Sequence, residues 1–302
     1  MWRRLRLSVR MLNISLRVLW HHPEFLLFPL VSAMALVVIL VIMSTGALAL
    51  VDFDLGVYTR LGFWGKTGVF FVLYFVAYLV AFFANTGLVG AVLTAMEGGT
   101  PTVRESFAIA RARTGKLVVY AAIMSTVGIV LRMISSWLGL PGRLAGPVVR
   151  RVVVFSFVGL AWNLITYLVV PILVVENIGP GQAIQRSTAL IKKTWGEQVV
   201  AYVSTGMLFL VFMALWLSLT GPTLTRAVTT LNEPVITATI YVLVMVPLVL
   251  FIIKLAVDSI FCTIVYRYVT DADLGEFDAE LLQASFAARS GGMWQRLRGR
   301  KS

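Results

Sequence analysis

Apolar residues in this chain come in long unbroken runs. Six are long enough to cross a hydrocarbon core, which takes about 20 apolar residues in a helix. They are Phe25–Val51, Thr67–Met96, Leu117–Leu138, Val152–Val175, Val199–Thr220 and Val235–Val269. None alternates with period two, and all are longer than strands run. A backbone in lipid must satisfy its own hydrogen bonds, so the pattern predicts an all-α polytopic membrane protein with six transmembrane helices. Pro171 and Pro247 fall inside two of the runs and predict bends there.

Between the runs the pattern becomes amphipathic. Ile184, Thr188, Ile191 and Trp195 share a helical face, opposite Gln185, Arg186 and Lys193. Pro101 and Pro180 each stand at a helix start, and Thr102 with Glu105 reads as a capping box. The two segments also share residues: Glu97, Pro101, Ala110, Thr114 and Gly115 recur as Glu176, Pro180, Ala189, Thr194 and Gly196. Near the N-terminus Trp2, Leu5, Val9, Leu12, Leu16 and Leu19 line one face, beside a stripe of Arg3, Arg6, Arg10, Asn13 and Arg17. This predicts three parallel repeats of one unit, an inner-surface amphipathic helix followed by a transmembrane hairpin. The repeats run over about 1–96, 97–175 and 176–270 of a single domain, 1–270. Residues 271–302 read as a cytoplasmic amphipathic and basic tail, with Trp294 among Arg296 and Arg298.

Composition narrows the class further. The 302 residues are 59% hydrophobic and 13% charged, against about 25% charged in soluble domains. With a mean hydropathy of +0.89, a soluble globule and a disordered chain are both excluded. The net charge of +12 is unevenly placed. Eighteen Lys and Arg fall in the N-terminus, the second and fourth connections and the tail; seven, Arg132 included, fall on the opposite side. The positive-inside rule then puts both termini in the cytoplasm and Arg60 and Arg226 outside, in a plasma (inner) membrane. The excess cations predict contact with anionic lipid of the inner leaflet through Arg3, Arg6, Arg10, Arg17, Arg111, Arg113, Lys192 and Lys193, and no nucleic-acid partner. The first apolar run is longer than the ~7–15 residues of a signal h-region, so it is expected to stay as an anchor.

Catalytic raw material is scarce. Cys262 is the single cysteine, so no intramolecular disulfide is expected. His21 and His22 are the two histidines, too few for an ordinary zinc site or an intramembrane Ser-His-Asp triad. Gly65-Lys66-Thr67 has Arg60 where a P-loop needs its first glycine, and the acids from Asp271 to Glu280 lack EF-hand spacing. No enzyme, cofactor or metal is expected. Inside the runs, Lys254 and Asp258 stand at i and i+4 and predict an ion pair, either at mid-membrane or at the inner interface. Asn85 and Asn163 predict interhelical hydrogen bonds, and Arg132 a snorkelling anchor. Ala77, Ala81, Ala84, Leu88, Ala91 and Ala95 present a mostly small face for close helix contact. The leading expectation is a non-enzymatic membrane component working through lipid, a membrane-protein partner or a second copy. The alternative is a small-solute or ion transporter or channel using the polar residues within the helices.

Several motifs carry a resemblance. They are Pro23-Glu24-Phe25-Leu26-Leu27-Phe28-Pro29, Val170-Pro171-Ile172-Leu173-Val174-Val175-Glu176, Gly179-Pro180 running into Lys193-Thr194-Trp195-Gly196-Glu197, and Tyr266-Arg267-Tyr268 ahead of Phe277-Asp278. On these the chain resembles a family of uncharacterised prokaryotic six-span membrane proteins classed as a domain of unknown function. It is also distantly similar to the membrane domain attached to some glycerophosphodiester phosphodiesterases. The resemblance implies the six-span fold and no particular activity.

Overall fold

The computed structural model describes residues 15–49, 60–137, 162–194, 197–230 and 233–270. Among these, every regular element is helical. After a short helix over 15–21, a 3-10 turn at Pro23–Leu26 leads into α1 (Leu27–Ala49). Then come α2 (Phe63–Met96), α3 (Val103–Ala112), α4 (Thr114–Trp137), α5 (Val169–Val175), α6 (Pro180–Thr194), α7 (Glu197–Thr229) and α8 (Glu233–Val269).

Five stretches are long and apolar enough to cross a membrane: Pro23–Thr45, Phe63–Met96, Thr114–Met133, Phe209–Thr229 and Glu233–Val269. The fourth expected run begins outside the described residues; its described part, Trp162–Val175, is a shorter apolar helix. That part is broken by a turn at 166–168, just ahead of Pro171. The proline ring crowds the carbonyl four residues back, at Tyr167, and Pro171 has no N–H to bond to it. The neighbouring N–H groups take tighter partners, Tyr167 N–H donating to Leu164 O at 3.2 Å and Val169 N–H to Thr166 O at 3.1 Å. Pro247 does not interrupt α8. The fifth run was expected to stop at Thr220, before Gly221-Pro222, yet α7 continues to Thr229. Thr223 and Thr225 hydroxyls bond helix carbonyls around that proline, at 2.6 and 3.0 Å, the way a helix in lipid accommodates a breaker.

The chain forms two compact units. One comprises Met1–Leu26, Val92–Thr100 and Thr194–Ser302. In it α7 and α8 pack along each other, with Phe209 and Phe251 rings 5.9 Å apart, and α8 also meets the 3-10 turn. Phe25, Ile260 and Ile264 are fully buried there. His22 stacks on Phe25 at 5.1 Å while its Nδ1 bonds Glu24 at 2.9 Å.

The other unit comprises Leu27–Ala91 and Pro101–Lys193. Its α2 and α4 run antiparallel in a fixed register. The Arg132 guanidinium stands 3.6 Å from the Phe70 ring centroid, Gly128 faces Tyr74, and Tyr120 stacks on Phe82 at 4.4 Å. Each step along α2 is matched by an equal step back along α4. Of the small face on α2, Ala84, Leu88 and Ala91 are buried, whereas Ala81 is exposed.

Candidate functional site

α3 is positioned by its cap and by glycine. Thr102 is its N-cap, the hydroxyl oxygen accepting from Glu105 N–H at 3.3 Å and the hydroxyl donating to Glu105 Oε2 at 2.7 Å. Pro101 therefore precedes the cap, whereas Pro180 is the first residue of α6. There the Gly179 N–H donates to Gln182 Oε1 at 3.3 Å, the reciprocal half of a capping box. The inner face of α3 packs on α1 and α2: Phe107 tilts against Phe28 of α1 at 5.1 Å and stacks on Phe83 of α2 at 5.9 Å, and Ile109 lies over Gly90. Ser106 and Ala110 are buried; Arg104 and Arg111 point outward and are exposed.

α6 has the same division. Ala183, Ser187, Leu190 and Ile191 are buried, and Gln185, Arg186 and Lys192 are exposed. Leu168 N–H, displaced from regular helix bonding by the turn before Pro171, donates to Ser187 Oγ at 3.3 Å. Each of these helices thus buries one face in protein and leaves cations exposed on the other.

The helix ends that precede α3 and α6 share a conformation. Glu97 is followed by Gly98 at φ 74°, and Glu176 by Asn177 at φ 53°, each three residues before a proline. Glu97 pairs with Arg267, and Glu176 with Arg186 at 3.2 Å. Arg113 and Lys116 converge on Asn177 Oδ1, while a second Arg113 nitrogen donates to Val174 O at 3.2 Å. Cations here meet the carbonyl end of α5, where they complement the helix dipole.

Lys254 and Asp258 form an ion pair on α8, with side chains 23% and 20% exposed. Lys254 lies about 32 Å along the axis from Glu233 at ~1.5 Å per residue. The pair marks a change in surroundings: α8 is mostly exposed up to Leu255 and mostly buried from Ala256 to Val269. Arg132 is exposed and rests on Phe70, and Asn85 is half-buried on α2. Asn163 is exposed, next to Trp162, whose Nε1–H donates to Met124 Sδ at 3.1 Å. Arg17 is exposed on the helix over 15–21, and Lys193 belongs to α6. Arg3, Arg6, Arg10 and the tail 271–302 lie outside the described residues. Among the described residues no three of His, Cys, Asp and Glu gather as a metal site would need.

Residues 65–276, from the first turns of α2 to beyond α8, match a family of unknown function, DUF6159. The chain belongs to this family. The DUF6159 match spans Asn85, Arg111, Arg113, Arg132, Asn163, Lys192, Lys193, Lys254 and Asp258, and leaves α1 and the N-terminal arginines outside it. No curated protein and no solved structure matches the chain. Nothing in these comparisons links it to glycerophosphodiester phosphodiesterases. Within the family region, sequence reasoning missed Gly87 and Gly90 as the seat of α3, Ser187 as the acceptor at the α5 break, and Asn177 as the meeting point of two cations. The positive-φ position of Asn177 was open to inference, because it follows Glu176 as Gly98 follows Glu97.

Proposed function

We propose that this DUF6159 protein is a non-enzymatic component of the plasma membrane that works through lipid and partner-protein contacts. It has six spans, arranged as three parallel copies of an amphipathic helix and a hairpin, with both termini cytoplasmic. The observation that carries this reading is the shared design of α3 and α6. Each docks one face on its own unit and keeps exposed cations, Arg104 and Arg111 on α3 and Lys192 on α6. The matching Glu97-Gly98 and Glu176-Asn177 turns, both with positive φ, support the repeat. The charge asymmetry along the sequence supports the orientation. A chain of about 32 Å from Glu233 to Lys254 is one hydrocarbon thickness, which favours the Lys254–Asp258 pair at the inner interface.

The test replaces the exposed Arg111 and Lys192 with Gln in the full chain and measures the anionic phospholipid retained through purification. Each such cation near an anionic surface is worth ~1 kcal/mol, an attraction that salt screens. Retention should fall, and the difference should shrink at high salt. Arg113→Gln is the comparison, because Arg113 is bonded to Asn177 and Val174. Equal lipid content in wild type and the Arg111/Lys192 variant would sink the lipid-contact reading.

A second reading, a small-solute or ion transporter, draws on the Lys254–Asp258 pair within the 37-residue α8. Ionisable residues at such positions often mark ion or proton pathways.

A further inference from the structure

Between the C-terminal part of α1 and the N-terminal part of α2, inside one unit, lies an open groove of about 840 Å³. Val37, Val41, Gly65, Gly68, Val69 and Val72 are on its wall. Ser44 adds a hydroxyl, which donates to Val41 O at 3.0 Å. Water is a poor occupant of such a space, because a bound water needs two to four polar partners. An empty groove is no better, since its lining would lose dispersion contacts.

The position of the groove selects the occupant. It begins just past Phe63 and Trp64, which are 55% and 77% exposed and make an edge-to-face pair at 5.3 Å. Exposed aromatics at the end of a span mark the membrane–water interface. From Gly65 to Leu73 the wall extends about 12 Å along α2, close to half of a ~30 Å hydrocarbon core. The groove therefore reaches from the interface to near the midplane, the depth of one leaflet. Lys66 follows Gly65 of the groove wall on the first turn of α2, a level at which a cation suits a phosphate headgroup.

We infer that this groove seats one acyl chain of a membrane glycerophospholipid, with the lipid phosphate at the level of Lys66. The inference goes beyond the inner-surface contacts proposed above: in that orientation the groove, next to Arg60, opens to the outer leaflet. A Cβ added at Gly68 would meet nothing within 4 Å, so a larger side chain there projects into the groove without striking the fold.

The full chain is reconstituted in phosphatidylglycerol/phosphatidylcholine vesicles containing a phospholipid with a photoactivatable acyl chain, and cross-links are mapped by mass spectrometry. Labelling at Val37, Val41, Val69 and Val72 should exceed that at Val242 and Val249 of α8, which are also exposed. Gly68→Leu should lower the groove labelling by about tenfold, one decade in apparent Kd, and leave the α8 labelling unchanged. Val69→Phe fills the same space from an exposed position and should act alike. Groove labelling no higher than that of α8, or unchanged in both variants, would overturn this site while leaving Arg111 and Lys192 as the test of the wider reading. A disulfide between two copies through Val72→Cys, in a chain carrying Cys262→Ala, would also overturn it, because a second copy would then fill the groove.

Discussion

The Phe28 ring of α1 stands with its Cε1 atom 3.0 Å from where a Cβ on Gly87 of α2 would lie. Phe107 of α3 closes the other side, its Cδ1 3.4 Å from the same point. A buried ring edge and a half-buried one crowd that point, so a methyl group there would have to push them aside. Gly90, one turn on, faces the Cδ1 of Ile109 at 2.8 Å, the free end of a side chain that can rotate away. Gly87→Ala should therefore lose ~1–3 kcal/mol to overpacking, only partly offset by the ~1 kcal/mol that alanine gains over glycine in a helix. Gly90→Ala should be close to neutral. Thermal unfolding in detergent ranks the two, and an equal cost at both positions would contradict this account of the seat.

Ser187 accepts the hydrogen bond that the broken helix before Pro171 cannot supply. Both Leu168 and Ser187 are buried, so removing the hydroxyl leaves an N–H with no water to turn to. Ser187→Ala should cost ~1–3 kcal/mol, the usual penalty for stranding a buried donor. Ser187→Thr, which keeps the oxygen, should recover part of it. Unfolding midpoints that do not separate Ala from Thr would point to packing as the role of this side chain.

For Lys254 and Asp258 the pairing account predicts an order among variants. Removing one partner of a largely buried pair strands a charge at a cost of ~3–5 kcal/mol, and replacing both is often nearly neutral. With side chains 23% and 20% exposed, the lower end of that range applies. Asp258→Asn should lower the melting temperature more than the Lys254→Met/Asp258→Leu double change. Proton flux is measured in parallel in liposomes. A wild type that moves protons, together with an Asp258→Asn chain that stays folded but does not, would replace the pairing account with the transporter reading.

Orientation is open to direct labelling. In a Cys262→Ala chain, single cysteines introduced at Arg60 and at Arg226 should react with an impermeant maleimide added from outside. A cysteine at Arg111, exposed on α3, should react only once the inner face is opened. The opposite pattern at Arg226 would invert the topology that the cation distribution supports.

Most helix starts were legible in the sequence because they depend on local physics, whereas the end of α7, past the expected Thr220 at Thr229, was not. Apolar run length, the Thr102 cap and the i,i+4 spacing of Lys254 and Asp258 act within one or two turns. Bends were expected at Pro171 and Pro247 from the missing N–H and the ring clash of proline itself; a turn precedes Pro171, whereas α8 runs on through Pro247. The faces by which the helices meet were not legible. In a membrane span the lipid-facing and protein-facing sides are both apolar, so no alternation marks the buried one. Only the tertiary structure decided that Ala84, Leu88 and Ala91 are covered while Ala81 is exposed, and that Asn163 faces outward. Tertiary packing also decided that Gly87 and Gly90 receive α3, and that Arg113 closes the end of α5. Such contacts join residues far apart in the chain, where shape alone selects the partner and sequence spacing carries no record of it.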